Sequence, residues 1–154
     1  MNIWEANYNT VAFTPHVCTV EDGASDKDGC DSNSYCTGDA TFLGQSFTVD
    51  TNSVITIVTQ FIVSDNTSTD TLFEVCSFYV EGDIIISNSA VSKTASGDTN
   101  SLEDRSGLAQ LGRAFGDSMV LVLSLWNDHE ANMLWLDGDY PAIVSPTSPG
   151  VARG

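Results

Sequence analysis

The run Ser53-Val54-Ile55-Thr56-Ile57-Val58-Thr59-Gln60-Phe61-Ile62-Val63 constrains the fold more than any other stretch of the chain. Val, Ile and Thr branch at Cβ, which crowds a helix and suits a pleated surface, so this segment is expected to be a long strand. Its nearly continuous apolar character predicts burial on both faces. Gln45 to Asp50 predicts a short strand, and Leu72 to Val80 and Asp83 to Ile86 predict two more around a hairpin turn at Glu81-Gly82-Asp83. Met119 to Trp126 predicts a core strand and Ala131 to Asp137 another. Helical spacing is confined to Leu102, Leu108, Leu111 and Phe115, weakened by Gly107, Gly112 and Gly116, which predicts one short helix around Leu108 to Ala114.

Long polar stretches separate these elements. Glu21 to Gly44 is rich in Gly, Asp and Ser, Ala90 to Asn100 is a second such loop, and Gly138 to Gly154 carries Pro141, Pro146 and Pro149. Loops of this length inside a domain tend to be functional or disordered. Many strands, one short helix and long loops predict an all-β fold, an antiparallel β-sandwich or jelly roll whose loops border a cleft over one concave face. A chain of 154 residues is long enough for one such domain.

Two clusters carry side chains suited to chemistry. The chain opens Met1-Asn2-Ile3-Trp4-Glu5-Ala6-Asn7, a strand whose alternation places Asn2 and Trp4 on one face and Glu5 on the other. Bringing Glu5 beside Asn2 requires a bulge or a strand end between them. Taken alone, a Glu beside a Trp is most simply a solvated surface residue. Tyr8 to His16 continues as a strand until Thr14-Pro15-His16 turns the chain. The second cluster, Met119 to Leu136, contains Trp126 and Trp135. An indole can pack against the C–H face of a sugar ring, or both can be ordinary core residues.

The opening heptad resembles the catalytic strand of the glycoside hydrolase family 7 cellulases, the cellobiohydrolases and endoglucanases, which reads Glu-Met-Asp-Ile-Trp-Glu-Ala-Asn. The resemblance extends in order through Thr14-Pro15-His16, Asp28-Gly29-Cys30-Asp31, Phe47-Thr48-Val49-Asp50-Thr51, Val58-Thr59-Gln60-Phe61, the Trp126 to Trp135 segment and Pro149-Gly150-Val151-Ala152-Arg153-Gly154. It implies that Glu5 is the general acid/base and that Asn2 stands where the family has a supporting Asp. It also implies that His16 and Asp28 lie on the product side, that Trp126 and Trp135 stack on sugar on either side of the cleavage point, and that Arg153 contacts sugar beyond it. The family's nucleophile would precede Met1. Retaining hydrolysis needs two carboxyl groups about 5 Å apart, so the resemblance implies an internal fragment of a catalytic domain, residues 1–154, that holds one of the pair and has little or no hydrolytic activity. Glu5 as an acid needs a raised pKa, which a neighbouring carboxylate and partial burial would supply.

The implied partner is cellulose or cello-oligosaccharides, bound by a secreted, extracellular monomer without cofactor. A non-catalytic carbohydrate-binding sandwich is the alternative, because such a module needs no carboxylate pair. Five basic against 21 acidic residues give a formal charge of −16, which repels nucleic acid and anionic membranes and suits a neutral polysaccharide or simply solubility. Cys18, Cys30, Cys36 and Cys76 lack paired C-x-x-C spacing and there are only two His, so no metal site is expected. Four cysteines permit two disulfides, with the pairing left open, and Asn66-Thr67-Ser68 is a glycosylation sequon in keeping with secretion. Relative to the family, the loop between Cys18 and Asp28 is short, Ser32 and Cys36 replace a Trp and an Arg, and His129 and Glu130 replace aromatic positions after Trp126.

Overall fold

The computed structural model describes residues 1–8, 10–17, 32–35, 38–64, 71–92, 107–125, 127, 129 and 133–137. Strands β1 (Asn2–Ala6) and β2 (Val11–Thr14) form an antiparallel hairpin, and β3 (Ser32–Asn33) pairs with β2. Asn7 closes the hairpin: its backbone N–H donates to Thr10 O at 3.2 Å, and its Oδ1 accepts from Thr10 N at 3.1 Å. A short Asn side chain that bonds its own turn is a common way to reverse a chain. Two-residue strands β4 (Leu43–Gly44) and β5 (Val49–Asp50) pair in parallel.

The third sheet is the antiparallel meander β6 (Ile55–Val63), β7 (Leu72–Glu81) and β8 (Ile84–Ser92). Glu81 pairs with Ile84 across a two-residue turn, and Gly82 there has φ 59°, a left-handed conformation in which only glycine lacks a steric penalty. Helix α1 (Gly107–Gly116) packs on β7, and a single helical turn, α2 (Leu134–Asp137), follows. No helix among the described residues is long and apolar enough to cross a membrane.

Phe13 of β2 and Val17, three residues beyond the end of that strand, join Leu72 and Val75 of β7 and Leu108 and Leu111 of α1 in one buried cluster. Val11, Phe42, Leu43, Val49 and Tyr79 form a second. Val11 and Phe13 alternate with Ala12, so both clusters lie on one face of the hairpin, sandwiched between it and the inner face of β6–β7–β8. The two three-stranded sheets are antiparallel and pack with one principal helix, as expected, while the short β4–β5 pair is parallel.

Gly112 explains a glycine that helix propensity disfavours. A Cβ there would lie 2.8 Å from Leu72 Cβ and 3.1 Å from Leu72 N, so the glycine lets α1 approach the β7 backbone. Gly112→Ala improves helix propensity yet should destabilise the chain by about 1–3 kcal/mol through overpacking. Urea denaturation checks it: a midpoint equal to or above that of the parent chain would mean that helix and strand separate freely.

Several sequence expectations need correction. Met119 to Leu125 forms no strand, and its side chains, apart from Ser124 all apolar, stand exposed, with Leu125 at 103%. A strand needs neighbours for its backbone N–H and C=O groups, and alternation of residues alone does not supply them. The segment read as a strand from Ala131 to Asp137 contains α2, preceded by Met133 at φ 58°. The long strand is not buried on both faces: Thr56 and Gln60 on one face, and Phe61 and Ile62 near its end, are exposed. Only Val49–Asp50 of the stretch Gln45 to Asp50 is strand, because Ser46 N and Asn52 N both donate to Asp50 Oδ1 and curl the chain into turns around it. Strands β3 and β4 lie within the stretch read as loop, and residues 138–154 are outside those described.

Candidate active site

The bulge anticipated in the opening strand is present. Asn2 pairs with Thr14 and Glu5 with Ala12, so Ile3 and Trp4 both stand opposite Phe13, two residues against one. The extra residue resets the alternation, and paired residues share a face. Asn2, Glu5, Ala12 and Thr14 therefore lie on one face of the hairpin, away from the core that Val11 and Phe13 enter. Plain alternation would have put Asn2 with Trp4; instead Asn2 is grouped with Glu5, and the Trp4 indole reaches the core-facing Tyr79.

His16, two residues beyond Thr14, joins the same face: Asn2 Nδ2 lies 3.3 Å from His16 Nε2. With the amide as donor, Nε2 accepts and the proton of a neutral imidazole sits on Nδ1. Turned over, the same amide would accept from Nε2–H through its oxygen, whereas an Asp carboxylate at position 2 could only accept. Asn2, Glu5 and His16 are all half-buried.

The row continues across the sheet. Ala12 pairs with Asn33, so Glu5, Ala12 and Asn33 line up across three strands on this face, with about 5 Å between neighbours. The Asn33 amide is 2% exposed and donates from Nδ2 to Leu136 O at 2.8 Å. That bond ties the backbone of α2 to β3, and Trp135, one residue earlier, is half-buried. Asn33 and Ala12 were not singled out in the sequence. Ala12, itself 0% exposed, lies between Glu5 and Asn33 in this row, and only the pairing of β2 with β3 reveals the alignment.

On the core side, Trp4 Nε1–H donates to the Tyr79 phenol oxygen at 3.3 Å. Burial pushes the Tyr79 phenol pKa up, against hydrogen bonds from Trp4, Ser77 and Asn88 that pull it down. Cys76 is a free thiol, raised above its usual pKa by burial and by Glu74, so the two intrachain disulfides that four cysteines permit are not both formed. Asp28, Trp126 and Arg153 lie outside the described residues, as do Cys18, Cys30, Cys36 and the sequon at Asn66. Among the described residues, no group of His, Cys, Asp and Glu is arranged to hold a metal ion.

The model of glycosyl hydrolase family 7 matches residues 1–105 and 90–154. A family 7 cellobiohydrolase from Daphnia pulex is 36% identical, superposes with a TM-score of 0.84 and covers 99% of this chain, which spans 43% of that enzyme. A mutant endocellulase from Humicola insolens is 28% identical, with a TM-score of 0.74 over 89% of this chain and 40% of its own. An endoglucanase I complexed with cellobiose, at 24% identity, shares the fold with a TM-score of 0.80 over 97% of this chain and 44% of its own. The 154 residues thus span less than half the length of each of these enzymes. A match along the whole chain, joined to a bulged strand that turns Glu5 and Asn2 to one face, leaves one assignment: the chain belongs to glycosyl hydrolase family 7.

Proposed function

We propose that the protein carrying this segment is a secreted, retaining cellulase that hydrolyses β-1,4-glucosidic bonds, with Glu5 as general acid/base. The observation that supports the reading is the bulge, which aligns Glu5 with Asn2 and His16 on one face of the hairpin. Glu5 would protonate the glycosidic oxygen as the bond breaks and then take a proton from the water that releases the sugar. Trp135 would offer an indole face to a glucose ring, and His16 and Asn2 would support Glu5 from the side. Trp126, Asp28 and Arg153 complete the sugar contacts in this reading, and the nucleophile is a carboxylate immediately preceding Met1. The 154 residues alone, holding one of two catalytic carboxylates, are expected to bind cello-oligosaccharides without cleaving them.

A second reading rests on Asn2. An amide cannot hold the charge that an Asp would share with the nucleophile, which favours a slow enzyme or a non-catalytic carbohydrate-binding sandwich. Incubating the protein extended by its upstream carboxylate with soluble cello-oligosaccharides separates the two. Release of reducing ends supports the enzyme, and binding without release supports the module. In the same protein Asn2→Asp is expected to raise the rate by about tenfold, the equivalent of one pKa unit of stabilisation. An unchanged rate would remove Asn2 as the cause of slowness.

A further inference from the structure

Two bulges in different sheets converge on one buried oxygen. The first is the bulge in β1, where Ile3 and Trp4 oppose Phe13. The second is in β8: Cys76 pairs with Ala90 and Phe78 with Ser87, so Asn88 and Ser89 both oppose Ser77. Tyr79, with 0% exposure, receives the Trp4 indole N–H on its phenol oxygen, and the side chains of Ser77 and Asn88 hydrogen-bond the same phenol. Its ring is held edge-on to Phe42, with centroids 5.7 Å apart, in the cluster that also packs Ala6. Glu5 is therefore bracketed: Trp4 before it is tied to the Tyr79 oxygen, and Ala6 after it rests on the Tyr79 cluster.

Bulged residues lose regular ladder hydrogen bonds, so side-chain contacts must hold a bulge in one form. Without it, Glu5 would revert to the face opposite Asn2. We propose that Tyr79 is a positioning residue: by gripping Trp4 across 75 residues of sequence, its hydroxyl fixes the β1 bulge and so aims the Glu5 carboxyl at the Asn2–His16 face. The value of that aim rests on reading Glu5 as the acid/base, whereas the coupling itself does not.

The test follows the Glu5 carboxyl by NMR titration in the 154-residue chain, in Tyr79→Phe, in Trp4→Phe and in the double variant. Tyr79→Phe keeps the ring in the core and removes only the oxygen, while Trp4→Phe removes the donor from a half-exposed position and still reports if Tyr79→Phe fails to fold. Each single change should move the Glu5 midpoint by about half a pH unit or more, and the double variant should go no further, since both break one bond. Ile57→Val, which trims the same cluster without touching the phenol oxygen, should leave the midpoint in place. An unmoved midpoint in both single variants, shifts that add in the double variant, or an equal shift in Ile57→Val would overturn the proposal. Binding of cellotetraose, measured alongside, tests the sugar role separately: a chain that binds none while its Glu5 titration responds as expected keeps the positioning and loses the cellulase reading.

Discussion

Glu5→Gln, in a protein where a Glu precedes Met1, is expected to lower kcat/KM on cellotetraose by about 10²–10⁴, the usual contribution of a positioned acid/base. The loss should depend on the leaving group. A dinitrophenyl cellobioside departs as a stable phenolate and needs no proton, so its first step should be far less slowed, and with azide present the glycosyl intermediate should be trapped by a nucleophile that needs no base. The pH dependence has a definite sign. An acid must be protonated to act, so if Glu5 is that acid the parent rate should fall toward alkaline pH, and that limb should vanish in the Gln variant, whose amide does not titrate. Equal loss on both substrates, with the alkaline limb intact, would assign Glu5 to structure and leave the proton donor elsewhere.

The sequence made the site half legible. Glu5 stands out as a candidate because its neighbours spell a distinctive heptad, and the need for a bulge follows from counting faces, which the register between Asn2 and Glu5 bears out. Asn33 and Tyr79 were invisible. Asn33 sits in a stretch of Gly, Asp and Ser where nothing local marks it as a strand residue, and its bond to Leu136 O spans 103 positions. Tyr79 reads as one more aromatic in an apolar strand, and its partner on Trp4 is 75 positions away.

The strand errors have one cause. Period-two alternation reports the shape a segment suits, whereas strand formation depends on an edge to pair with. Ile55 to Val63 has β7 beside it, while Met119 to Leu125 has no partner among the described residues. Leu134 to Asp137 was apolar enough to suit strand or helix, and the short run gave periodicity too little length to choose.

Stability and site geometry meet at Phe13, and Phe13→Ala should cost about 3–5 kcal/mol, the range for deleting a buried aromatic ring. The side chain is 1% exposed and belongs to the buried cluster that joins Leu72 and Val75 of β7, Leu108 and Leu111 of α1, and Val17 of its own segment. Its loss leaves a cavity that a sheet on one side and a helix on the other cannot close without moving apart. Against a total of roughly 5–15 kcal/mol for a domain of this size, that is enough to unfold a substantial fraction of molecules at ordinary temperature. Phe13 is also the residue that faces the two bulged positions of β1, so the hairpin carrying Glu5 should loosen first. Phe73→Ala is the matched control, because Phe73 is 52% exposed and its truncation should change stability by no more than about 0.5 kcal/mol. Thermal and urea denaturation of the three chains decide the point: if Phe13→Ala melts with Phe73→Ala, the hairpin and the β6–β7–β8 sheet are not packed on a shared core.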